Sequence, residues 1–199
     1  MIKALAFLKK NHMAHRDIKP QNIICDEVDE KIEYRLIDFG VSKGEIENTV
    51  DFHTIIGTFS YMAPELKTSH VEGEQQIQLD FYKADAFSLG LVILTMGVPE
   101  FKPPNANQYN TKKFKESLNQ SMQKFNEIYK KDWILCSSVG KMLRREPKER
   151  KDCKEIENDI ELILIENDIE LMGRIWNWRY LIIISLIWIL LLNIKQLIH

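Results

Sequence analysis

The sequence His-Arg-Asp-Ile-Lys-Pro-Gln-Asn at residues 15–22 decides the fold expected for this chain. Two shorter stretches follow it in order, Asp-Phe-Gly at residues 38–40 and Ala-Pro-Glu at residues 63–65. Any one of the three is weak by itself, because an Asp before a turn is most often a cap or a solvated charge. The three in series, with Asp17 and Asn22 five positions apart, indicate one shared chemistry.

In this order the three stretches resemble the catalytic loop, the magnesium motif and the end of the activation segment of eukaryotic-type serine/threonine protein kinases. The resemblance implies that Asp17 accepts the proton of a substrate hydroxyl and that Lys19 offsets charge on the transferred phosphate of ATP. It implies that Asn22 and Asp38 bind Mg²⁺, which prefers oxygen ligands in octahedral geometry. It also places Ile24 under the adenine of ATP.

The pattern around the loop favours serine or threonine as the acceptor. Lys19 directly before Pro20 is the serine/threonine form of the loop. Thr58 resembles the threonine that hydrogen-bonds both the catalytic Asp and the Lys in these kinases. The expected partner is therefore a protein with Ser or Thr hydroxyls as substrate.

Three further residues resemble a regulatory pocket. Arg16 precedes the catalytic Asp, Lys43 lies five residues after Asp38, and Thr54 lies three residues before Gly57. In the family these positions surround a phosphothreonine, whose charge of about −1.5 to −2 can order a loop by pairing with cations. The alternative is that Thr54 is an ordinary loop hydroxyl.

Other residues are expected to have structural roles. The resemblance places His15 and Phe39 in the internal stack of the lobe and makes Asp85 the acceptor of backbone N–H groups from the catalytic loop. Asp85 is the one charge within the otherwise apolar helix expected near residues 83–96, and a buried carboxylate needs partners. Arg150 and Glu65 are expected to form an ion pair, with an ordinary surface arginine as the alternative.

The fold class implied is mainly α, a kinase-like C-terminal lobe with a small β-hairpin region over residues 1–160. Residues 2–11 read as a first helix. Two connections depart from the family pattern, residues 66–80, expected to be a surface loop, and residues 26–31, expected to form a lengthened hairpin turn. Long surface loops cost little free energy, about 0.6 kcal/mol per doubling.

The nucleotide site predicted from the sequence is incomplete. Only fourteen residues precede His15, and none of the eight glycines belongs to a G-x-G-x-x-G motif. The small lobe is therefore expected to be missing, and this chain alone is expected to be weakly active or inactive. Two functions stay open, an incomplete kinase chain or a kinase-derived, membrane-anchored binding module without catalysis.

Composition narrows the remaining classes. A net charge of −2 with no basic aromatic patch gives no reason to expect nucleic acid as a partner. The three cysteines lie far apart without metal-ligand spacing, which favours reduced thiols. These features fit a cytosolic globular lobe.

The end of the sequence has a different character. Residues 156–164 are almost repeated at 165–173, so residues 161–174 read as an acidic repeat or linker, with duplication without function as the alternative. Residues 180–192 form an uncharged apolar run of thirteen, and the wider stretch 175–194 has the twenty residues that a C-terminal hydrophobic helix needs to cross a bilayer once. Arg174 and Arg179 before the run place the lobe on the cytosolic side. The alternatives are a buried helix or an aberrant translated end.

Overall fold

The structure, a computed structural model, describes residues 1–44, 50–51, 57–72, 76–77, 79–104 and 112–168. The chain divides into two compact units, residues 1–158 and 159–199. The expected mainly helical fold with a small antiparallel hairpin is confirmed. The α-helices are α1 (Ile2–Lys10), α2 (Pro64–Glu72), α3 (Phe81–Gly97), α4 (Lys112–Ile128) and α5 (Trp133–Met142). A last helix, α6, is described over residues 153–168. The strands are β1 (Met13–Ala14), β2 (Ile23–Val28), β3 (Lys31–Leu36), β4 (Lys43–Gly44), β5 (Val50–Asp51) and β6 (Gln76–Ile77).

The strands form three two-stranded antiparallel sheets, β1 with β4, β2 with β3, and β5 with β6. In the longest of them, Ile23 pairs with Leu36 and Val28 pairs with Lys31. The expected six-residue turn over 26–31 is wrong, because only Asp29 and Glu30 lie between the strands. Both have positive φ, 50° and 60°, as a two-residue type I′ turn requires. The hairpin is therefore tightly closed, and the extra length lies in its strands.

Helix α3 is the centre of the larger unit. It begins where the Asp80 side chain accepts a hydrogen bond from the Lys83 backbone N–H at 3.1 Å, an N-cap that satisfies one free donor of the first turn. Eleven of its seventeen residues are buried, so the helix is surrounded by other elements rather than amphipathic. Gly90 lets the next segment approach closely, since a Cβ there would lie 2.9 Å from the side chain of Leu143.

A helix and a short strand occupy described parts of residues 66–80, where a surface loop was expected. Helix α2 continues from Pro64 to Glu72, and Gln76–Ile77 then pairs with Val50–Asp51. Leu66 and Lys67 are both buried. The prediction of a surface loop is wrong because tertiary packing on one face of α2 outweighs its polar composition.

Residue Asp152 joins the two ends of the larger unit. Its Oδ1 accepts N–H groups of Lys154 and Glu155 at 2.8 and 3.1 Å, and the Glu155 carboxylate accepts the Asp152 N–H at 2.9 Å. This is a capping box, with Asp152 as the N-cap of α6. Asp152 also forms an ion pair with Lys9 of α1. Burial opposes ionisation of Asp152, but the hydrogen bonds from Lys9 and Glu155 lower its pKa below the usual range.

The repeat begins within α6. Ile156, in the first copy, is completely buried, whereas Ile165, at the start of the second copy, is 54% exposed. The expected membrane segment, residues 175–194, lies outside the described residues, as do 169–174. Within the described ranges no helix is long and apolar enough to cross a membrane.

Candidate active site

The predicted catalytic loop is held from behind by α3. The buried carboxylate of Asp85 accepts backbone N–H groups from His15 at 2.7 Å and from Arg16 at 2.8 Å. Complete burial raises the pKa of Asp85 to about 7, although the two N–H donors and the Arg16 charge favour the carboxylate. Arg16 itself has φ of 71°, a conformation that costs a non-glycine residue free energy and persists only where its surroundings enforce it.

The side chain of His15 links the loop to the Asp-Phe-Gly motif. Its Nε2 lies 3.1 Å from the carbonyl oxygen of Ile37, and its Nδ1 lies 3.4 Å from the Asp17 backbone N–H. These partners fit a neutral ring with the proton on Nε2. Burial lowers the pKa of His15, which favours the same neutral form. The ring also meets Phe39 edge-on, with centroids 5.0 Å apart.

The carboxylate of Asp17 lies at the centre of a polar network. Its Oδ2 accepts hydrogen bonds from Lys19 Nζ at 2.6 Å and from Asn22 Nδ2 at 3.2 Å. Its Oδ1 accepts the Thr58 backbone N–H at 2.8 Å, and Lys19 Nζ also donates to Thr58 Oγ1 at 2.9 Å. Burial opposes ionisation, but the hydrogen bonds from Lys19 and Thr58 prevail and lower the pKa of Asp17. The network therefore fixes an ionised carboxylate in one orientation.

The expected magnesium ligands, Asn22 and Asp38, each have a side-chain oxygen atom. The Asn22 amide donates to the Asp17 carbonyl at 2.9 Å as well as to its carboxylate, which turns the amide oxygen of Asn22 to the opposite side. Asp38 has φ of 63° and accepts the Gly40 N–H at 3.3 Å through one carboxylate oxygen. An all-oxygen pair fits Mg²⁺, which takes its remaining ligands from phosphate and water. No group of three His, Cys, Asp or Glu in the described ranges is arranged as a metal site.

Two apolar residues of the site are open to solvent. Ile24, expected under adenine, is 40% exposed on strand β2, and Phe39 is 46% exposed. Single exposed apolar side chains are common on protein surfaces. The position of Ile24 under adenine therefore stays a prediction.

The regulatory prediction is only partly covered by the structure. The guanidinium of Arg16 lies 4.9 Å above the ring of Phe81, and burial lowers its pKa despite the nearby Asp85. Lys43 lies in strand β4, paired with Ala14. Thr54 lies outside the described residues. A phosphothreonine pocket at these three positions stays a prediction.

The expected ion pair between Arg150 and Glu65 is present. The two guanidinium Nη atoms lie 2.6 and 3.0 Å from the two carboxylate oxygens of Glu65. The other donors reach backbone carbonyls of Lys83, Arg144 and Arg145. The pair joins the start of α2, at the Glu of the Ala-Pro-Glu motif, to the turn at residues 144–150.

Two cations near this turn, Lys67 and Arg145, were not predicted from the sequence. Lys67 is only 2% exposed and has one hydrogen bond, at 3.5 Å to the Ser60 carbonyl. Nη1 of Arg145 is buried and has no hydrogen-bond partner within the described residues. Lys67 follows the buried Ala63 by four residues, so in a helix the two lie on the same face. This spacing could have indicated burial of Lys67 if a helix had been predicted here.

A positioned carboxylate with a lysine beside it, followed by an Asn and an Asp, is the arrangement expected of a phosphoryl-transfer loop. The sequence pattern of the protein kinase domain matches residues 1–160. The chain therefore belongs to the protein kinase family of the eukaryotic type.

Individual relatives agree with this assignment. The chain is 37% identical over 99 residues to mitogen-activated protein kinase kinase 5 of Leishmania mexicana, covering 49% of this chain and 17% of that protein. It is 35% identical over 101 residues to mitogen-activated protein kinase kinase 9 of Arabidopsis thaliana, covering 51% and 31%. It is 41% identical over 103 residues to serine/threonine-protein kinase 4 homolog B of Dictyostelium discoideum, covering 52% and 8%. The chain thus spans less than a third of the length of each.

Proposed function

We propose that these residues supply the catalytic base and the metal ligands of a protein serine/threonine kinase that transfers the γ-phosphate of ATP to Ser or Thr hydroxyls. The network around Asp17 is the observation that carries the proposal. A structural aspartate has no need of a lysine, an amide and a threonine N–H converging on one carboxylate. A base that must accept a proton from one direction does need that restraint.

Each side chain has a defined part in the proposed reaction. Asp17 orients the substrate hydroxyl and accepts its proton through a carboxylate oxygen. Lys19, already bonded to Asp17 and Thr58, offsets charge on the phosphoryl oxygens. Asn22 and Asp38 would hold Mg²⁺, which would supply positive charge to offset that of the ATP phosphates. Asp85 and His15 act only by positioning the loop.

The test of this proposal is Asp17→Asn in the longest natural protein that contains these residues. The substitution keeps the shape of the side chain and removes the base, so turnover on a Ser/Thr protein substrate is expected to fall by about 10²–10⁴-fold. Asp29→Asn, the same change in the exposed hairpin turn, is the matched control and is expected to retain turnover. Unchanged turnover in Asp17→Asn would overturn the role given to this residue.

The 199-residue chain alone is proposed to be a weak or inactive kinase. Its sequence holds no glycine-rich phosphate loop, and positioning of the reactants can be worth about 7–11 kcal/mol of the barrier. This same observation favours the second candidate, a kinase-derived binding module without catalysis. Isothermal titration with Mg-ATP tests both proposals, which expect negligible ATP binding by this chain. Micromolar or tighter binding would instead show a complete nucleotide site.

We also propose that residues 175–194 anchor the chain in a membrane, with the lobe on the cytosolic side. The proposal rests on the uncharged apolar run at residues 180–192, which follows Arg179 and has no polar face. Carbonate extraction of the expressed chain, with and without residues 175–199, tests it. Retention of the full chain in the pellet and release of the shortened form is expected. Release of both forms would refute the anchor.

A further inference from the structure

Two cationic side chains near the turn at residues 144–150, the buried Lys67 and the half-buried Arg145, have no acidic partner among the described residues. Lys67 is 2% exposed, and its ammonium contacts only the Ser60 carbonyl at 3.5 Å and the ring of Phe59 at 5.3 Å. Arg145 has its Nη1 buried with no acceptor. Within the described residues, neither side chain has an ion pair. Unpaired buried charges are costly, so this arrangement needs a reason.

The two cations come from different elements and act on each other. Lys67 belongs to α2, and Arg145 belongs to the turn after α5. Burial, and secondly the charge of Arg145, lower the pKa of Lys67 to about 7. The same guanidinium of Arg150 that binds Glu65 of α2 also donates to the Arg145 carbonyl at 2.8 Å. The fold therefore fixes the backbone that carries Arg145 to α2, although like charges repel there.

A path to solvent exists on the Arg145 side. Arg145 lines an open cavity of about 260 Å³ between α4 and the turn, together with Lys115 and Arg144. Glu146 and Glu149 also line the cavity, but both are exposed, so water and salt screen their charges. The buried ammonium of Lys67 and the buried Nη1 of Arg145 therefore both belong to cations.

We propose that Lys67 and Arg145 form a binding site for one phosphate group. A phosphate carries about −1.5 to −2 charges at neutral pH, which matches two cations where a single carboxylate would neutralise only one of them. Its oxygens can accept hydrogen bonds from the guanidinium and the ammonium together, and such charge-assisted bonds are the strong ones. The site is separate from Asp17, Asn22 and Asp38 and is independent of the proposed kinase reaction.

The test uses inorganic phosphate with the full 199-residue chain and its variants at neutral pH. Thermal unfolding and isothermal titration are measured in phosphate and in chloride of matched ionic strength. Phosphate is expected to raise the melting temperature of the unmodified chain above its value in chloride. Lys67→Met and Arg145→Gln are each expected to weaken phosphate binding about tenfold or more, because each removes a charge-assisted hydrogen bond.

Two controls keep the result interpretable. Lys148→Gln removes an exposed cation from the same turn and is expected to leave phosphate binding unchanged. Lys67→Met removes a buried unpaired charge, so this variant is expected to fold, and its loss of binding cannot be ascribed to unfolding. Equal melting temperatures in phosphate and chloride, or full binding by Lys67→Met, would overturn the proposal.

A short peptide carrying phosphoserine distinguishes the two sources of the phosphate. Tighter binding of this peptide than of its unphosphorylated form and of inorganic phosphate would support a phosphorylated protein segment as the ligand. Equal binding of peptide and inorganic phosphate, lost together in Lys67→Met, would support a site for the free ion.

Discussion

Helix α2 and the turn at residues 144–150 meet through two charged clusters that differ in one respect. In the first cluster, all five N–H donors of Arg150 are placed, on Glu65 and on three backbone carbonyls. In the second, Lys67 and Arg145 are both cations, and neither has an acidic partner in the part of the chain that the structure describes. Each cluster holds one buried cation, Arg150 or Lys67, beside a half-buried partner.

This difference separates a structural role from a binding role. A buried guanidinium with every donor satisfied needs nothing else, and its planar geometry fixes the two segments it joins. A buried ammonium beside a second cation is stable only at a cost, which a bound anion would relieve. The comparison predicts opposite effects when the cations of the two clusters are removed.

The largest expected effect is the loss of Arg150. Arg150→Met removes the guanidinium that binds Glu65 and the donor of three backbone carbonyls, so the free energy of unfolding is expected to fall by about 3–5 kcal/mol. Urea unfolding followed by circular dichroism measures this change. Lys148→Gln, an exposed cation in the same turn, is the control and is expected to stay within about 0.5 kcal/mol of the unmodified chain. A loss below about 1 kcal/mol for Arg150→Met would contradict the anchoring role.

The opposite sign is expected at Lys67. At pH 7, without added phosphate, Lys67→Met is expected to raise the free energy of unfolding by about 1–4 kcal/mol, because a side chain of similar length replaces an unpaired buried charge. The ordinary lysine pKa of 10.5 applies to the unfolded chain, against about 7 in the folded protein. At pH values between these two pKa values, Lys67 binds more protons in the unfolded chain than in the folded protein. The free energy of unfolding of the unmodified chain therefore rises with pH in this range.

The advantage of Lys67→Met should therefore shrink between pH 7 and 10.5, by at most about 1.4 kcal/mol per pH unit. Urea unfolding of the unmodified chain and of Lys67→Met across this range measures the difference in their free energies of unfolding. Groups that titrate in both chains, such as Asp85, contribute equally and cancel in this difference. A difference that is constant with pH would show that Lys67 keeps an ordinary pKa in the folded protein.

Sequence analysis predicted those parts of the molecule that recur as motifs with fixed spacing. The loop from His15 to Asn22, the α3 helix and the contacts of Asp85 and Arg150 were accessible because each rests on a short stretch whose residue types are dictated by its chemistry. The family assignment follows from the same stretches. The roles given to Asp17, Lys19 and the magnesium ligands stay predictions until activity is measured.

The parts that were not predicted depend on tertiary packing. Residues 64–72 are helical although their composition is polar, since one side of the helix is buried against the lobe. Once that helix was read as a loop, Lys67 could not be recognised as buried. Arg145 likewise has no motif of its own, and only the structure brings it near Lys67. Pairs of distant residues without a shared pattern leave no signal in a single sequence.

The smallest expected effect is the coupling between Lys67 and Arg145, and it decides whether the two form one site. Each single variant, Lys67→Met or Arg145→Gln, relieves the same repulsion, so the double variant is expected to gain less than the sum of the two single gains. The shortfall is expected to be about 0.5–1 kcal/mol in a double-mutant cycle from urea unfolding without phosphate. In the cycle for Glu65 and Arg150, the coupling should have the opposite sign, because either single change already breaks an attractive pair. Additive effects of the Lys67 and Arg145 variants, within about 0.3–0.5 kcal/mol, would mean that the two cations do not act on each other and cannot share one phosphate.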